Sequence, residues 1–198
     1  MSLILDLLYP RDYFQDYYSI AKIKSIRQFP GFEGLLSLFP YHFPIKNILH
    51  DLKYNFVTDL IPELVNLSVS ALNTNFPNLV NYWRQQNFCL VPVPLHSYRQ
   101  NWRGFNQSDL LASALAQKLS LKYYRDLVIR RHYTPPQANI INKSLRKTNL
   151  LHSFTLNSAL IPPNLIIFDD VITSGSTISS LASVLPPTCH LWGLSIAG

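Results

Sequence analysis

Residues 165–177, L-I-I-F-D-D-V-I-T-S-G-S-T, constrain the fold of this chain more than any other stretch. Leu165, Ile166, Ile167 and Phe168 form a short apolar run, with Pro162 and Pro163 before it and Asp169 and Asp170 after it. An uninterrupted apolar run of this length predicts a parallel-sheet strand buried on both faces. The acid pair then falls at the strand's C-terminal end, where open α/β sheets bind their ligands. Thr173, Ser174, Gly175, Ser176 and Thr177 come next, small and hydroxyl-rich, and lead into residues 178–185, whose apolar spacing predicts a helix. A loop feeding a helix N-terminus offers free backbone N–H groups and the positive end of the helix dipole, which favour a phosphate.

Two carboxylates beside a phosphate cradle would repel the same ligand. A sugar phosphate resolves the conflict: the loop takes the phosphate, and the acids accept hydrogen bonds from vicinal hydroxyls, directly or through Mg²⁺. A lone Asp-Asp pair would read as no more than the cap of a core strand. The unbroken order of strand, acid pair and hydroxyl loop resembles the signature of type I phosphoribosyltransferases that binds phosphoribosyl pyrophosphate (PRPP). There the acids contact the ribose hydroxyls and the small loop holds the 5′-phosphate.

The rest of the chain sets bounds on this reading. Its 198 residues suit one α/β domain with an appendage. Hydrophobic residues make up 47% and charged residues 14%, which supports a sizeable core and argues against general disorder. The two cysteines, Cys89 and Cys189, sit in apolar strand-like runs and read as free thiols of a reducing compartment; two cannot build a four-thiolate zinc site. The N-terminus is apolar but carries Asp6 and lacks a basic flank, so neither a signal peptide nor a membrane span is expected, and a cytoplasmic protein is. The net charge of +6 is unevenly spread. Residues 81–150 hold eleven Lys/Arg against Asp109 and Asp126, and residues 151–198 hold no Lys or Arg. A basic middle faces an anion, either a diphosphate or a nucleic acid.

In chain order, residues 1–40 are rich in Tyr, Phe and Leu without a sustained period, and short helices forming a lid or hood are expected there. Ile45, Ile48, Leu49 and Leu52 have helical spacing, as do residues 60–72. Phe88, Cys89, Leu90 and Val91 predict a strand that ends in Pro92-Val93-Pro94-Leu95, a turn compatible with a cis or strained peptide. Asn106 or Ser108 caps a predicted helix over 109–119. Residues 127–129, 151–156 and 190–197 predict further strands, and the polar stretch from Thr134 to about Asn149 a long functional loop. Alternating strands and helices argue for a doubly wound parallel sheet.

A specific family fits these pieces in their order. H-D-L-K-Y at 50–54, V-P-V-P-L at 91–95, R-x-x-x-R-G-F-N-Q-S at 99–108, T-P-P-Q at 134–137, L-R-K-T-N at 145–149 and the acid-pair run resemble the ComF family of competence-associated, phosphoribosyltransferase-like proteins. The likeness spans roughly residues 41–198. It implies an α/β fold of type I phosphoribosyltransferase kind, a parallel sheet flanked by helices over residues 46–198, with a small, mostly helical hood over 1–45. Many ComF proteins begin with a four-cysteine zinc ribbon; residues 1–40 here contain no cysteine, so no zinc is expected. Carried over residue by residue, the resemblance assigns the ribose hydroxyls and Mg²⁺ to Asp169 and Asp170, and the 5′-phosphate to Thr173, Ser174, Gly175, Ser176 and Thr177. It gives the diphosphate loop to Pro92, Val93, Pro94 and Leu95, and makes residues 131–146 a flap over the reacting centre. Arg131, Lys143, Arg146 and Lys147, with Arg99 and Arg103 beside the diphosphate loop, would meet the leaving diphosphate. The expected ligand is PRPP or ribose 5-phosphate with Mg²⁺, in a protein linked to DNA uptake; whether it turns over is left open. The alternatives are a single-stranded DNA-binding competence factor, working beside a competence helicase or recombination proteins, and a PRPP-sensing regulator.

Overall fold

The computed structural model describes residues 26–95, 102, 104–130 and 153–198. Its centre is a six-stranded sheet. Strand β1 (Arg27–Phe29) runs antiparallel to β2 (Phe32–Phe39). The order then continues, all parallel, through β8 (His190–Ala197), β7 (Asn164–Val171), β3 (Cys89–Pro92) and β4 (Lys122–Tyr123). A separate antiparallel pair joins β5 (Val128–Arg130) to β6 (Phe154–Leu156). The mostly parallel α/β sheet flanked by helices is the fold class expected from the sequence.

β7 is the spine, and its burial follows the two-residue period of a strand. Ile166 and Phe168 enter one core cluster and Leu165 and Ile167 the other, all four fully buried. The first cluster lies under α1 (Ile45–Tyr54), α2 (Ile61–Asn75) and α4 (Gln107–Leu119), which contribute Leu49, Leu64 and Leu115 among others. The second packs against α5 (Ser176–Ala182) through Ile178 and Leu181, and against β5 and β6 through Val128 and Phe154. Helix α3 (Pro77–Gln85) buries only Val80 and Trp83, a pattern too sparse to announce a helix in the sequence.

The N-terminal expectation needs correction. Among the described residues, 26–39 form strands rather than short helices, and β2 pairs with β8 inside the main sheet. The sheet therefore reaches back past residue 46. β2 is buried at seven of its eight positions, Glu33 being the exception, so its sequence F-E-G-L-L-S-L-F shows no alternation to read. Residues 1–25 of the expected hood lie outside the described residues. The cis peptide among the described residues is Phe43–Pro44, not one within 92–95. No helix of the described residues is long and apolar enough to cross a membrane.

Candidate ribose-phosphate site

Sheet register brings together two stretches more than seventy residues apart in sequence. Pro92 stands opposite Phe168 across β3 and β7, and the Val93 amide donates to the Phe168 carbonyl at 2.8 Å. Pro94 and Leu95 therefore leave the sheet directly beside Asp169 and Asp170. A cavity of about 240 Å³ opens there, lined by Val93, Pro94 and Leu95 on one side and by Asp169, Asp170, Val171 and Thr177 on the other.

The acids sit at the C-terminal end of β7, as the sequence predicts, within its last three residues, since the strand runs on to Val171. Asp170 is buried and Asp169 is partly exposed. Asp169 Oδ1 accepts from Ser108 Oγ at 3.0 Å and from the Asp170 amide at 3.0 Å. Asp170 Oδ2 forms an ion pair with Lys53 Nζ. Burial and the adjoining Asp170 carboxylate push the Asp169 carboxyl well above the usual range, against the opposing pull of Lys53 and Ser108. Burial lowers the Lys53 pKa, but the charge and hydrogen bond of Asp170, then the charge of Asp169, outweigh it and leave Lys53 above its ordinary value. The ammonium is therefore charged at neutral pH.

Asn106 braces both sides of the cavity. Its side-chain oxygen caps α4 by accepting from the Ser108 amide at 3.1 Å, and its Nδ2 donates to the Val93 carbonyl at 3.1 Å. The first turn of α4 is thereby tied to the proline loop through Asn106 and to the acid pair through Ser108.

The hydroxyl loop is divided. Thr177 lines the cavity, Thr173 and Ser174 are exposed, and Ser176 is partly buried. Ser174 Oγ donates to Ser176 Oγ at 3.1 Å and accepts from the Ser176 amide. Gly175 has φ of +75°, and a Cβ there would collide with the ring of Phe29 on β1. The N-terminal hairpin thus packs on the loop, and only glycine fits both the backbone angle and that contact.

Arg99, Arg103, Arg131, Lys143, Arg146 and Lys147 lie outside the described residues, as does the expected flap over 131–146. Of the other bases in the basic middle, two have structural tasks. Arg125 pairs with the buried Asp109 at 2.6 Å, and Arg84 Nε donates to the Leu119 carbonyl at 2.8 Å. Arg130, at the end of β5, lines the cavity with its guanidinium 5.4 Å from the Phe154 ring.

No family model matches the chain. Among curated proteins, competence protein F of Haemophilus influenzae is 27% identical over 192 residues, covering 91% of this chain and 80% of that protein. Competence protein ComFC of Bacillus subtilis is 30% identical over 128 residues, covering 62% of this chain and 47% of that one. DNA utilization protein YhgH of Salmonella typhi is 30% identical over 180 residues, covering 86% of this chain and 75% of that protein. The chain belongs to the ComF family. Two of the ComF-like segments, H-D-L-K-Y and R-G-F-N-Q-S, meet at the acid pair: Lys53 comes from one and Ser108 from the other. Sequence reasoning quoted both segments yet picked neither residue for the site, and it passed over Arg130 and Gln107 as well. The segments were the signal; what they lacked was a strand order placing them next to residue 170.

Proposed function

We propose that this ComF protein binds the ribose 5-phosphate end of PRPP in the cavity at the β3 and β7 tips, with Mg²⁺ accompanying the diphosphate. We propose also that it serves competence and the use of incoming DNA, as the names of its relatives suggest. The observation that carries the binding reading is the register of Pro92 against Phe168, which puts the proline loop and the acid pair on one cavity. The two carboxylates suit vicinal hydroxyls, and the proline loop, with Arg130 across the cavity, suits a diphosphate. In a phosphoribosyl transfer the bond from C1 to the diphosphate oxygen breaks, its electron pair leaves with the diphosphate, and C1 bonds instead to the nucleophilic atom of an acceptor. The acid pair would hold the neighbouring hydroxyls while the cations of Arg130 and of residues 131–147 receive the departing charge.

A second reading keeps the pocket and adds single-stranded DNA. Tyr54, at the cavity wall, and Phe56 and Trp102 are exposed, and the Phe56 and Trp102 ring centroids are 6.2 Å apart. Exposed rings beside cations are stacking surfaces for bases. One calorimetric series tests both readings: PRPP with and without Mg²⁺, a short oligonucleotide, and each as competitor of the other. Wild type should bind PRPP, and the double variant Asp169→Ala with Asp170→Ala should lose it while remaining folded by circular dichroism. Equal affinity in the folded double variant would refute the ribose reading. No oligonucleotide binding even at low salt would remove the second.

A further inference from the structure

Two carboxylates on successive residues, one of them buried, need a nearby cation, because burial penalises each charge and the pair repels itself. The chain supplies one. Lys53 leaves the last turn of α1, whose Ile45, Ile48, Leu49 and Leu52 are buried and so hold the helix in place. Its Nζ pairs with Asp170 Oδ2, with the side chains only 18% and 6% exposed. This is no solvated surface pair. Lys53, Asp169, Asp170 and Ser108 all line the cavity that would take the ligand.

A divalent ion held directly by both carboxylates does not fit this arrangement. Asp170 Oδ2 is already taken by the Lys53 ammonium, so the ion would be left with the second oxygen of each carboxylate, beside a resident cation that repels it. Asp169 Oδ1 already accepts two hydrogen bonds that orient it. Lys53 balances one of the two charges, and Ser108 and the Asp170 amide orient Asp169.

We propose that Lys53 is the resident counter-ion of the acid pair, a positioning residue that readies Asp169 and Asp170 for the vicinal hydroxyls of a ribose 5-phosphate group without a carboxylate-bound divalent ion. The ligand half of this inference rests on the ribose-phosphate reading of the cavity. Metal dependence then enters only with a ligand that carries a diphosphate. Lys53 acts on the ligand through the carboxylates, so its loss should convert a metal-independent site into a metal-dependent one.

The test is calorimetry on the full chain with ribose 5-phosphate, in excess EDTA and in excess Mg²⁺. Wild-type affinities in the two media should agree within about twofold. Lys53→Met should lose at least about tenfold in EDTA and recover part of the loss with Mg²⁺, while Lys53→Arg stays nearer to wild type. A second readout needs no sugar: Mn²⁺ added to the free protein, followed by water-proton relaxation. Wild type should hold no Mn²⁺ at the pair, and Lys53→Met should gain a bound ion that Asp170→Asn then removes. The proposal is overturned by a wild-type affinity for ribose 5-phosphate that falls more than about tenfold in EDTA. It is equally overturned by wild-type Mn²⁺ binding that Asp170→Asn abolishes. Both of these use folded wild type, so a misfolded Lys53→Met chain does not shield the idea. If ribose 5-phosphate binds in neither medium but Lys53→Met gains Mn²⁺, the counter-ion stands and the ribose reading fails.

Discussion

Asn106→Ala should separate the bracing of the site from its chemistry. Asn106 is 7% exposed and makes two hydrogen bonds of 3.1 Å, one as the cap of α4 and one to the Val93 carbonyl. Loss of a cap of this kind costs about 1 kcal/mol, and loss of a neutral buried hydrogen bond about 1 kcal/mol more. For a chain of this size, the sum of about 2 kcal/mol lowers the melting temperature by about 4–8 °C. Asn106→Ser keeps a capping oxygen but cannot reach both partners, so it should lose only about half as much. Thermal melts followed by circular dichroism give both numbers, and calorimetry adds a functional one. With the Val93 tie gone, the 92–95 loop loosens, and affinity for PRPP should fall more than affinity for ribose 5-phosphate. An Ala variant melting within about 1 °C of wild type would refute the bracing argument. So would a Ser variant as unstable as Ala, because the cap would then carry none of the effect.

Two further outcomes follow from the same geometry. Gly175→Ala should cost about 1–3 kcal/mol in chemical denaturation, from the left-handed backbone and the collision with Phe29. Adding Phe29→Ala should relieve only the collision, and complete rescue would show that the backbone angle carries no strain. The raised Asp169 pKa makes the folded chain bind a proton more tightly than the unfolded one. Its stability contribution is therefore full below the ordinary carboxylate pKa near 4 and is lost as pH climbs toward the raised value. Asp169→Asn should then gain stability relative to wild type between about pH 5 and about pH 8, measured by urea denaturation in EDTA; a constant difference across that range would contradict the shift.

Much of the site was legible because its pieces are local. The apolar run before Asp169 and Asp170, the proline-ended strand at 89–92 and the capped helix after Asn106 each follow from period, turn chemistry or capping within a dozen residues. The α1 helix was equally clear, since Ile45, Ile48, Leu49 and Leu52 make one apolar stripe. β2 was not, because a strand buried on both faces has no alternation, and nothing in residues 26–39 sets them apart from a helical hood. β4 offered only two residues.

What the sequence determined by itself is therefore a set of local elements, together with the chemistry each can carry: acids at a strand tip, hydroxyls around a glycine, a proline turn, an excess of bases. Which of these share a cavity was decided by strand order. Only the placement of β7 between β3 and β8 puts Pro92 beside Phe168, and only the packing of α1 against that sheet brings Lys53 to Asp170. Phe29 reaches Gly175 for the same reason, from an edge strand far away in sequence. Such contacts depend on long-range pairing, whose energy comes from burying whole faces rather than from any short motif, and a pattern within a dozen residues carries no trace of it.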